Sequence, residues 1–255
     1  MSEPIETINI SIIGAGTMGR GIAIALGEYG FKPVLIEPVG NEDLLAAKDS
    51  KIVIEAVIEE FEAKRAIFQR LNKLCSADTI FASNTSSLGI SELSKIVDHP
   101  ENFIGLHFFN PADKVDFVEI VSGIQTADAT IKQIQTLVSA INKKSVIIKD
   151  TPGFIVNRLL FIMINEAAFF LQSGSASAKD INMAMKLGTN SPMGPLAIAD
   201  LIGIDVCLSI LESLNKRIPN GKYEPCPVFY QMIKAGYLGR KVKKGFYNYV
   251  VSGGK

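Results

Sequence analysis

The sequence predicts an α/β protein, a Rossmann-type doubly wound and mainly parallel sheet followed by an all-α C-terminal domain. Three observations predict it. The stretch Ile8–Gly30 runs from an apolar strand through Gly14, Gly16 and Gly19 into a segment of helical spacing. Strand and helix signals then alternate as far as residue 150, the pattern of parallel strands covered by helices on both faces. Beyond Asp150-Thr151-Pro152-Gly153 the strand signals nearly vanish. The domain boundary is therefore placed near residue 150, giving an α/β domain over 1–150 and a helical domain over 151–255.

Ile8, Ile10, Ile12 and Ile13 form the first strand, and Ile22, Ala23, Leu26 and Tyr29 recur at helical spacing after the glycines. In the run G-x-G-x-x-G, Gly14 permits the tight turn, Gly16 lets a pyrophosphate approach the backbone, and Gly19 lets the helix pack on the strand. Thr17 and Met18 fill out this turn, and the helix N-terminus behind it offers free N–H groups to phosphates. Lys32–Ile36 is the second strand and ends in Glu37, eighteen residues after Gly19. A carboxylate there can accept from both ribose hydroxyls of adenosine and would repel a 2′-phosphate. The features together predict NAD as the bound dinucleotide. The bland alternative is a structural glycine turn beside a surface carboxylate.

Pro38–Ser50 reads as a short polar connection with one helical turn, and Lys51–Ile58 begins as a β-branched strand. Glu59–Cys75 is an amphipathic helix with Phe61, Ala66, Ile67, Leu71 and Leu74 on its apolar face. Thr79–Ser83 is a strand leading into Asn84-Thr85-Ser86-Ser87, where Ser86 or Ser87 is expected to cap the next helix. Phe103–Phe108 and Asp116–Val121 are strands, the first stopped by Asn110-Pro111. Ala127–Asn142 is a helix, and Ser145–Lys149 closes the alternating series. In the second half, Phe154–Leu171 is a helix so apolar that it must be buried, in this subunit or against another. Ser177–Leu187, capped by Ser177 with Asp180, is followed by a turn at Pro192–Pro195. Leu196–Arg217 and Val228–Ala235 are further helices, Gly239–Tyr249 is a basic loop with an aromatic strand-like piece, and the terminal Ser-Gly-Gly-Lys is expected to fray.

Composition excludes several classes of function. Hydrophobic residues make 47% of 255 residues, enough for a large core. Lys+Arg and Asp+Glu are 26 each, so the whole chain offers no attraction for nucleic acid or an anionic membrane. The three cysteines form no C-x-x-C and suggest reduced thiols rather than a disulfide framework. With two histidines, no metal site is expected. The first ten residues show no signal pattern and the longest apolar runs are too short to span a bilayer, so a cytoplasmic protein is expected.

Ligands of open α/β sheets sit beyond the carboxyl ends of the strands. Three polar clusters fall there: Asn84-Thr85-Ser86, His107 with Asn110, and Glu59 with Lys64. Histidine is the side chain suited to proton transfer near neutral pH, and His107 can take a hydroxyl proton while hydride leaves the same carbon. Glu119 is an odd charge among Phe117, Val118, Ile120 and Val121, and suits a carboxylate that holds the imidazole and stabilises its cation. His107 alone could equally be structural, bonded to backbone; with the glycine turn and Glu119 it reads as a base.

The runs GLHFFNP (Gly105–Pro111), FASNTSSL (Phe81–Leu88) and DTPGFIVNRLL (Asp150–Leu160) resemble 3-hydroxyacyl-CoA dehydrogenase motifs. KLGTNSPMGPL (Lys186–Leu196) and GFYNY (Gly245–Tyr249) are similar to the C-terminal domain of that family. The resemblance covers nearly the whole chain. It implies an NAD-binding domain over 1–150, a helical substrate and dimerisation domain over 151–255, a homodimer, and reversible NAD-linked oxidation of an L-3-hydroxyacyl-CoA. It implies further that His107 is catalytic with Glu119 as its partner, that Ser86 and Asn157 bind substrate, and that Glu59, Lys64, Asn84 and Asn110 line the cofactor. Two departures stand out. The family carries a longer helical excursion before the third strand, which helps hold CoA, whereas Pro38–Ser50 here is thirteen residues. Val242-Lys243 stands where the family tends to have Thr-Gly. The expected activity is that of a short-chain 3-hydroxyacyl-CoA dehydrogenase. The trimmed segment favours a rival of the same build acting on a free hydroxy acid or sugar acid, and the retained His107, Glu119, Ser86 and Asn157 argue against a non-catalytic NAD-binding protein.

Overall fold

The computed structural model describes residues 8–40 and 43–249, and the terminal Ser-Gly-Gly-Lys lies outside them. The chain divides into two compact units, Met1–Phe154 and Ile155–Lys255.

The first unit is built on a seven-stranded sheet: β1 (Ile10–Ile13), β2 (Val34–Ile36), β3 (Ile52–Glu55), β4 (Ile80–Ser83), β5 (Phe103–Phe108), β6 (Phe117–Ser122) and β7 (Lys144–Lys149). Their order is β2-β1-β3-β4-β5-β6-β7. Every pairing is parallel except that of β5 with β6. β1 and β2 begin later than the apolar pattern suggested. Ile8 packs on the core without joining the ladder, and Pro33, which has no N–H, precedes the first residue of β2.

Because side chains alternate along a strand, the two faces carry two different cores. Ile10, Ile12, Ile52, Ile54, Ile80, Ala82, Ile104, Leu106, Val118 and Ile120 face one way. They pack on α1 (Thr17–Gly27) through Ile22 and Leu26, and on α4 (Asp128–Ala140) through Ile134, Leu137 and Val138. Ile13, Val53, Phe81, Phe103 and Val121 face the other way. There they meet Ile67, Phe68 and Leu71 of α2 (Phe61–Leu74) and Ile90 and Leu93 of the one-turn α3 (Ile90–Leu93). Phe68 sits edge-on to Phe103 at 4.8 Å between ring centroids. Each fully buried side chain of this size stabilises the unit by about 1.5–3 kcal/mol.

The short connection after β2 makes one 3-10 turn, Asp43–Ala47, whose Leu44 and Ala47 enter the second core. The expected serine cap does not form. Ser86 and Ser87 bond instead to Glu59, and α3 starts only after Gly89. Phe154, expected inside a helix, lies before it with φ 51° and is buried in the core of the first unit.

The second unit is helical: α5 (Val156–Gln172), α6 (Ala178–Gly188), α7 (Pro195–Ile202), α8 (Ile204–Arg217) and α9 (Pro227–Lys234). Ser177 caps α6, accepting from the Asp180 N–H and donating to its carboxylate. The helix expected over Leu196–Arg217 is broken into α7 and α8 at Gly203, whose φ of 111° suits only glycine. α5 buries Phe161, Ile164 and Ala168 in the unit's core, and its Asn165 amide staples the Glu224 carbonyl and the Cys226 N–H. Leu159, Phe169 and Phe170 of the same helix remain exposed.

One buried carboxylate gathers three donors of the C-terminal loop. Asp200, buried on α7, accepts from Phe246 N–H at 2.8 Å, Tyr247 N–H at 3.0 Å and the Tyr249 hydroxyl at 3.0 Å. Burial lifts its carboxyl above the ordinary value despite those donors. Asp200→Ala strands these donors and is expected to destabilise the second unit by roughly 2–4 kcal/mol. Urea unfolding followed by circular dichroism measures this, and an unchanged midpoint would refute it.

Candidate active site

The chain leaves β1 for β2 on one side and returns to β3 on the other, so the sheet order reverses between β1 and β3. A ligand crevice opens beyond the strand ends at such a point. Gly14 occupies it with φ 107°, and a Cβ there would stand 2.6 Å from the Ala56 carbonyl oxygen. At Gly19 a Cβ would overlap the Gly14 carbonyl, so strand and helix touch backbone to backbone. Around Gly16, by contrast, no atom beyond its chain neighbours lies within 4 Å of where a Cβ would be. A cavity of about 480 Å³ runs past Gly14, Gly16, Thr17 and Met18 to Glu37 and Pro38, and across to Ala56–Ile58. The Glu37 carboxylate accepts the Ala15 N–H at 2.8 Å, which fixes it at the rim of the glycine turn. The residues present therefore fit a dinucleotide: an open backbone cradle at the N-terminus of α1 and a carboxylate at the end of β2. Sequence reading missed the far wall, Pro38 and Ala56–Ile58. It is apolar and carries no motif.

His107 and Glu119 are opposite one another in the antiparallel pairing of β5 with β6. Their side chains share a face, and Nδ1 of His107 meets Oε2 of Glu119 at 2.7 Å. Glu119 is fully buried and His107 nearly so. The imidazole lies against Phe109 at 4.4 Å and Phe154 at 5.7 Å between ring centroids. Apolar walls on two sides and a carboxylate behind Nδ1 leave Nε2 as the nitrogen not engaged by Glu119.

A second buried group stands at the ends of β3 and β4. Lys64, in the first turn of α2, has no exposed surface. Its ammonium lies 2.7 Å from Glu55 and 3.3 Å from Glu59. Glu55, also fully buried, accepts further from the Val57 N–H and the Ser83 hydroxyl. Glu59 gathers the loop after β4 onto one oxygen: the Thr85 hydroxyl at 2.6 Å, the N–H groups of Ser86 and Ser87 at 2.8 and 2.9 Å, and both serine hydroxyls. The two carboxyls shift oppositely around one ammonium. Burial dominates at Glu55 and pushes it up, with Lys64, Ser83 and Val57 offsetting only part. At Glu59 burial also raises, but Lys64 and the Thr85, Ser86 and Ser87 donors outweigh it, and the net shift is down. Glu55 was not singled out from the sequence. A glutamate closing the run Ile-Val-Ile was the available signal.

Asn84 accepts the Phe108 N–H at 2.9 Å, tying this loop to the strand end beside His107. Asn110 is exposed two residues past β5. Lys64 offers no open charge to a ligand; its ammonium is spent on Glu55 and Glu59. Asn157 lies in the second unit, in the first turn of α5. Among the described residues no cluster of side chains suits a metal ion.

A dinucleotide crevice and a histidine–carboxylate pair on one Rossmann sheet define the class, an NAD-dependent dehydrogenase. The comparisons narrow it. The family profile for the 3-hydroxyacyl-CoA dehydrogenase NAD binding domain matches residues 38–151, and that for the C-terminal domain matches 153–249. A 3-hydroxybutyryl-CoA dehydrogenase of Bradyrhizobium diazoefficiens is 38% identical, covering 94% of this chain and 94% of its own. That alignment runs over 277 positions, more than the 255 residues here, so the relative carries segments this chain lacks. A 3-hydroxybutyryl-CoA dehydrogenase of Clostridioides difficile is 46% identical over 82% of this chain and 73% of its own. The crystal structure of an (S)-3-hydroxybutyryl-CoA dehydrogenase from Ralstonia eutropha superposes with a TM-score of 0.89 at 36% identity, covering 94% of this chain and 98% of that one. The chain belongs to the 3-hydroxyacyl-CoA dehydrogenase family, and NAD is its cofactor.

The placement of Glu37 generates a test. Glu37→Ala should weaken NADH binding roughly tenfold or more, the worth of a charged hydrogen bond, and should weaken NADPH binding less. Fluorescence titration with both cofactors measures this, and equal losses would refute the role of the carboxylate.

Proposed function

We propose that this enzyme interconverts a short-chain L-3-hydroxyacyl-CoA and the 3-ketoacyl-CoA, with His107 as acid and base and Glu119 as its charge partner. The observation that carries the reading is the 2.7 Å contact between His107 Nδ1 and Glu119 Oε2 at the carboxyl end of β5. Glu119 accepts the Nδ1 proton, which keeps a lone pair on Nε2. That nitrogen takes the C3 hydroxyl proton during oxidation and returns it during reduction. The imidazolium formed on the way is stabilised by the carboxylate behind it. When held in the glycine cradle, NAD would supply the hydride acceptor for oxidation and NADH the donor for reduction. Ser86 and Asn157 are assigned to the substrate oxygens, and Thr17, Met18, Glu59, Asn84 and Asn110 to the surroundings of the cofactor, with Lys64 standing behind Glu59 rather than on the cofactor.

The chemistry of this site does not itself require CoA. The short connection Pro38–Ser50 supports a second reading, a dehydrogenase of a free hydroxy acid. One assay separates the two: NADH oxidation with acetoacetyl-CoA against acetoacetate. We expect turnover with the thioester; turnover with the free acid alone would select the second reading. In the same assay His107→Gln should lower kcat about 10²–10⁴-fold, the usual worth of a general acid–base group, with NADH binding retained. Wild-type kcat in that variant would eliminate the mechanism.

We place the enzyme in the cytoplasm as a homodimer. The three cysteines are free, as suits a reducing compartment. Among the described residues no helix is long and apolar enough to cross a membrane. An apolar groove of about 360 Å³ lined by Met163, Phe170, Ile181, Met185 and Pro195 lies on the second unit, where Phe169 and Leu187 are also exposed. Apolar surface of this kind suits a symmetric contact with a second copy. Sedimentation at micromolar concentration is expected to give a dimer, and a monomer would contradict that assembly.

A further inference from the structure

We infer that Glu55 and Lys64 are positioning residues for the loop Asn84–Leu88, acting through Glu59 on Ser86. The inference rests on the reading of Ser86 as a substrate-binding group. A lysine with no exposed surface is costly unless its charge is answered, and removing one partner of a buried pair leaves the other uncompensated. Here the ammonium is answered twice, by Glu55 at 2.7 Å and Glu59 at 3.3 Å. Glu55 is anchored in turn by the Val57 N–H and the Ser83 hydroxyl, one residue before the loop. Lys64 therefore ties Glu59 to the end of β3 through Glu55. Glu59 in its turn draws in the Thr85 hydroxyl and the backbone N–H groups of Ser86 and Ser87.

The chemistry of these contacts sets direction as well as distance. An ionised carboxylate only accepts. The hydroxyls of Ser86 and Ser87 that reach Glu59, at 3.2 and 2.9 Å, turn their protons toward it and their lone pairs away. Asn84, at the root of the loop, carries the same geometry to the β5 end through the Phe108 N–H. The chain of contacts thus runs from the interior of the sheet to the serine, and from the same loop to the residue after His107.

The test is a double-mutant cycle on acetoacetyl-CoA reduction with Glu55→Gln, Ser86→Ala and both together. Glu55→Gln should lower kcat by on the order of 10²-fold, the cost of a small misplacement of reacting groups, with KM and NADH affinity little changed. In the Ser86→Ala background the same substitution should change kcat by less than about twofold, because coupled residues do not add. Additive losses with an impaired Ser86→Ala would overturn this inference and leave the proposed function standing. Wild-type kcat in Ser86→Ala would overturn the role of that serine and this inference with it. Lost NADH affinity with intact kcat in Glu55→Gln would assign the pair to the cofactor and overturn the inference. Ser83→Ala, which removes one donor from Glu55 and spares the ion pair, runs the same cycle should Glu55→Gln fail to fold.

Discussion

The antiparallel pairing of β5 with β6 is the constraint on which the candidate site depends. In a parallel sheet consecutive strands are joined by long crossovers. Here the chain reverses over Phe109–Asp116 and returns beside itself. The register sets His107 against Glu119, and the pleat puts both side chains on one face. A slip of one residue would turn Glu119 to the opposite face and bring Val118 or Ile120 against the imidazole. The neighbours of the pair hold the register. Leu106 and Ile120 are buried in one core and Val121 in the other, so both faces resist sliding.

The same logic explains why a charge is tolerated at Glu119 at all. Both faces of the sheet are covered, so an unanswered carboxylate in β6 would be costly. At 2.7 Å the imidazole supplies a donor, and the carboxylate in return selects the tautomer. The buried Glu55–Lys64–Glu59 group solves a similar problem differently. It places two carboxylates around one ammonium and completes the remaining oxygens with hydroxyl and N–H donors from β4 and the loop after it. Glu55 is the deeper partner and pays in a raised pKa. Glu59 is the better supplied one and stays low.

Much of this was legible in the sequence, for identifiable reasons. The glycine turn and Glu37 are local: spacing alone places them, because a strand, a turn and a helix leave little freedom in between. The His107–Glu119 pair was legible because a lone charge in an apolar strand demands a partner. The break at Gly203 was not. Residues on both sides keep helical spacing, and only the backbone angle shows that two helices are present. The roles of Ser86 and Ser87 were misjudged as caps because their competitor, Glu59, is distant in sequence and meets them only after β3, α2 and β4 have assembled. Phe154 was misjudged for the same kind of reason. Its apolar side chain fits a helical stripe, but the core that buries it lies beside His107.

The connection after β2 shows how thirteen residues can close a core. The alignment with the Bradyrhizobium diazoefficiens relative extends over 277 positions, more than the 255 residues here. Here the segment after β2 closes on itself in one 3-10 turn, with Leu44 and Ala47 in the core below and the Arg70 guanidinium on the Gly40 carbonyl. The turn therefore does structural work, sealing the second core at the edge of β2. The cradle beside it is left intact, since Gly14, Gly16, Thr17 and Met18 belong to β1 and α1, and Glu37 is fixed by the Ala15 N–H. The glycine cradle and the His107–Glu119 pair belong to β1, α1, β5 and β6 and not to this connection. A change confined to this connection can therefore leave the cradle and the His107–Glu119 contact in place.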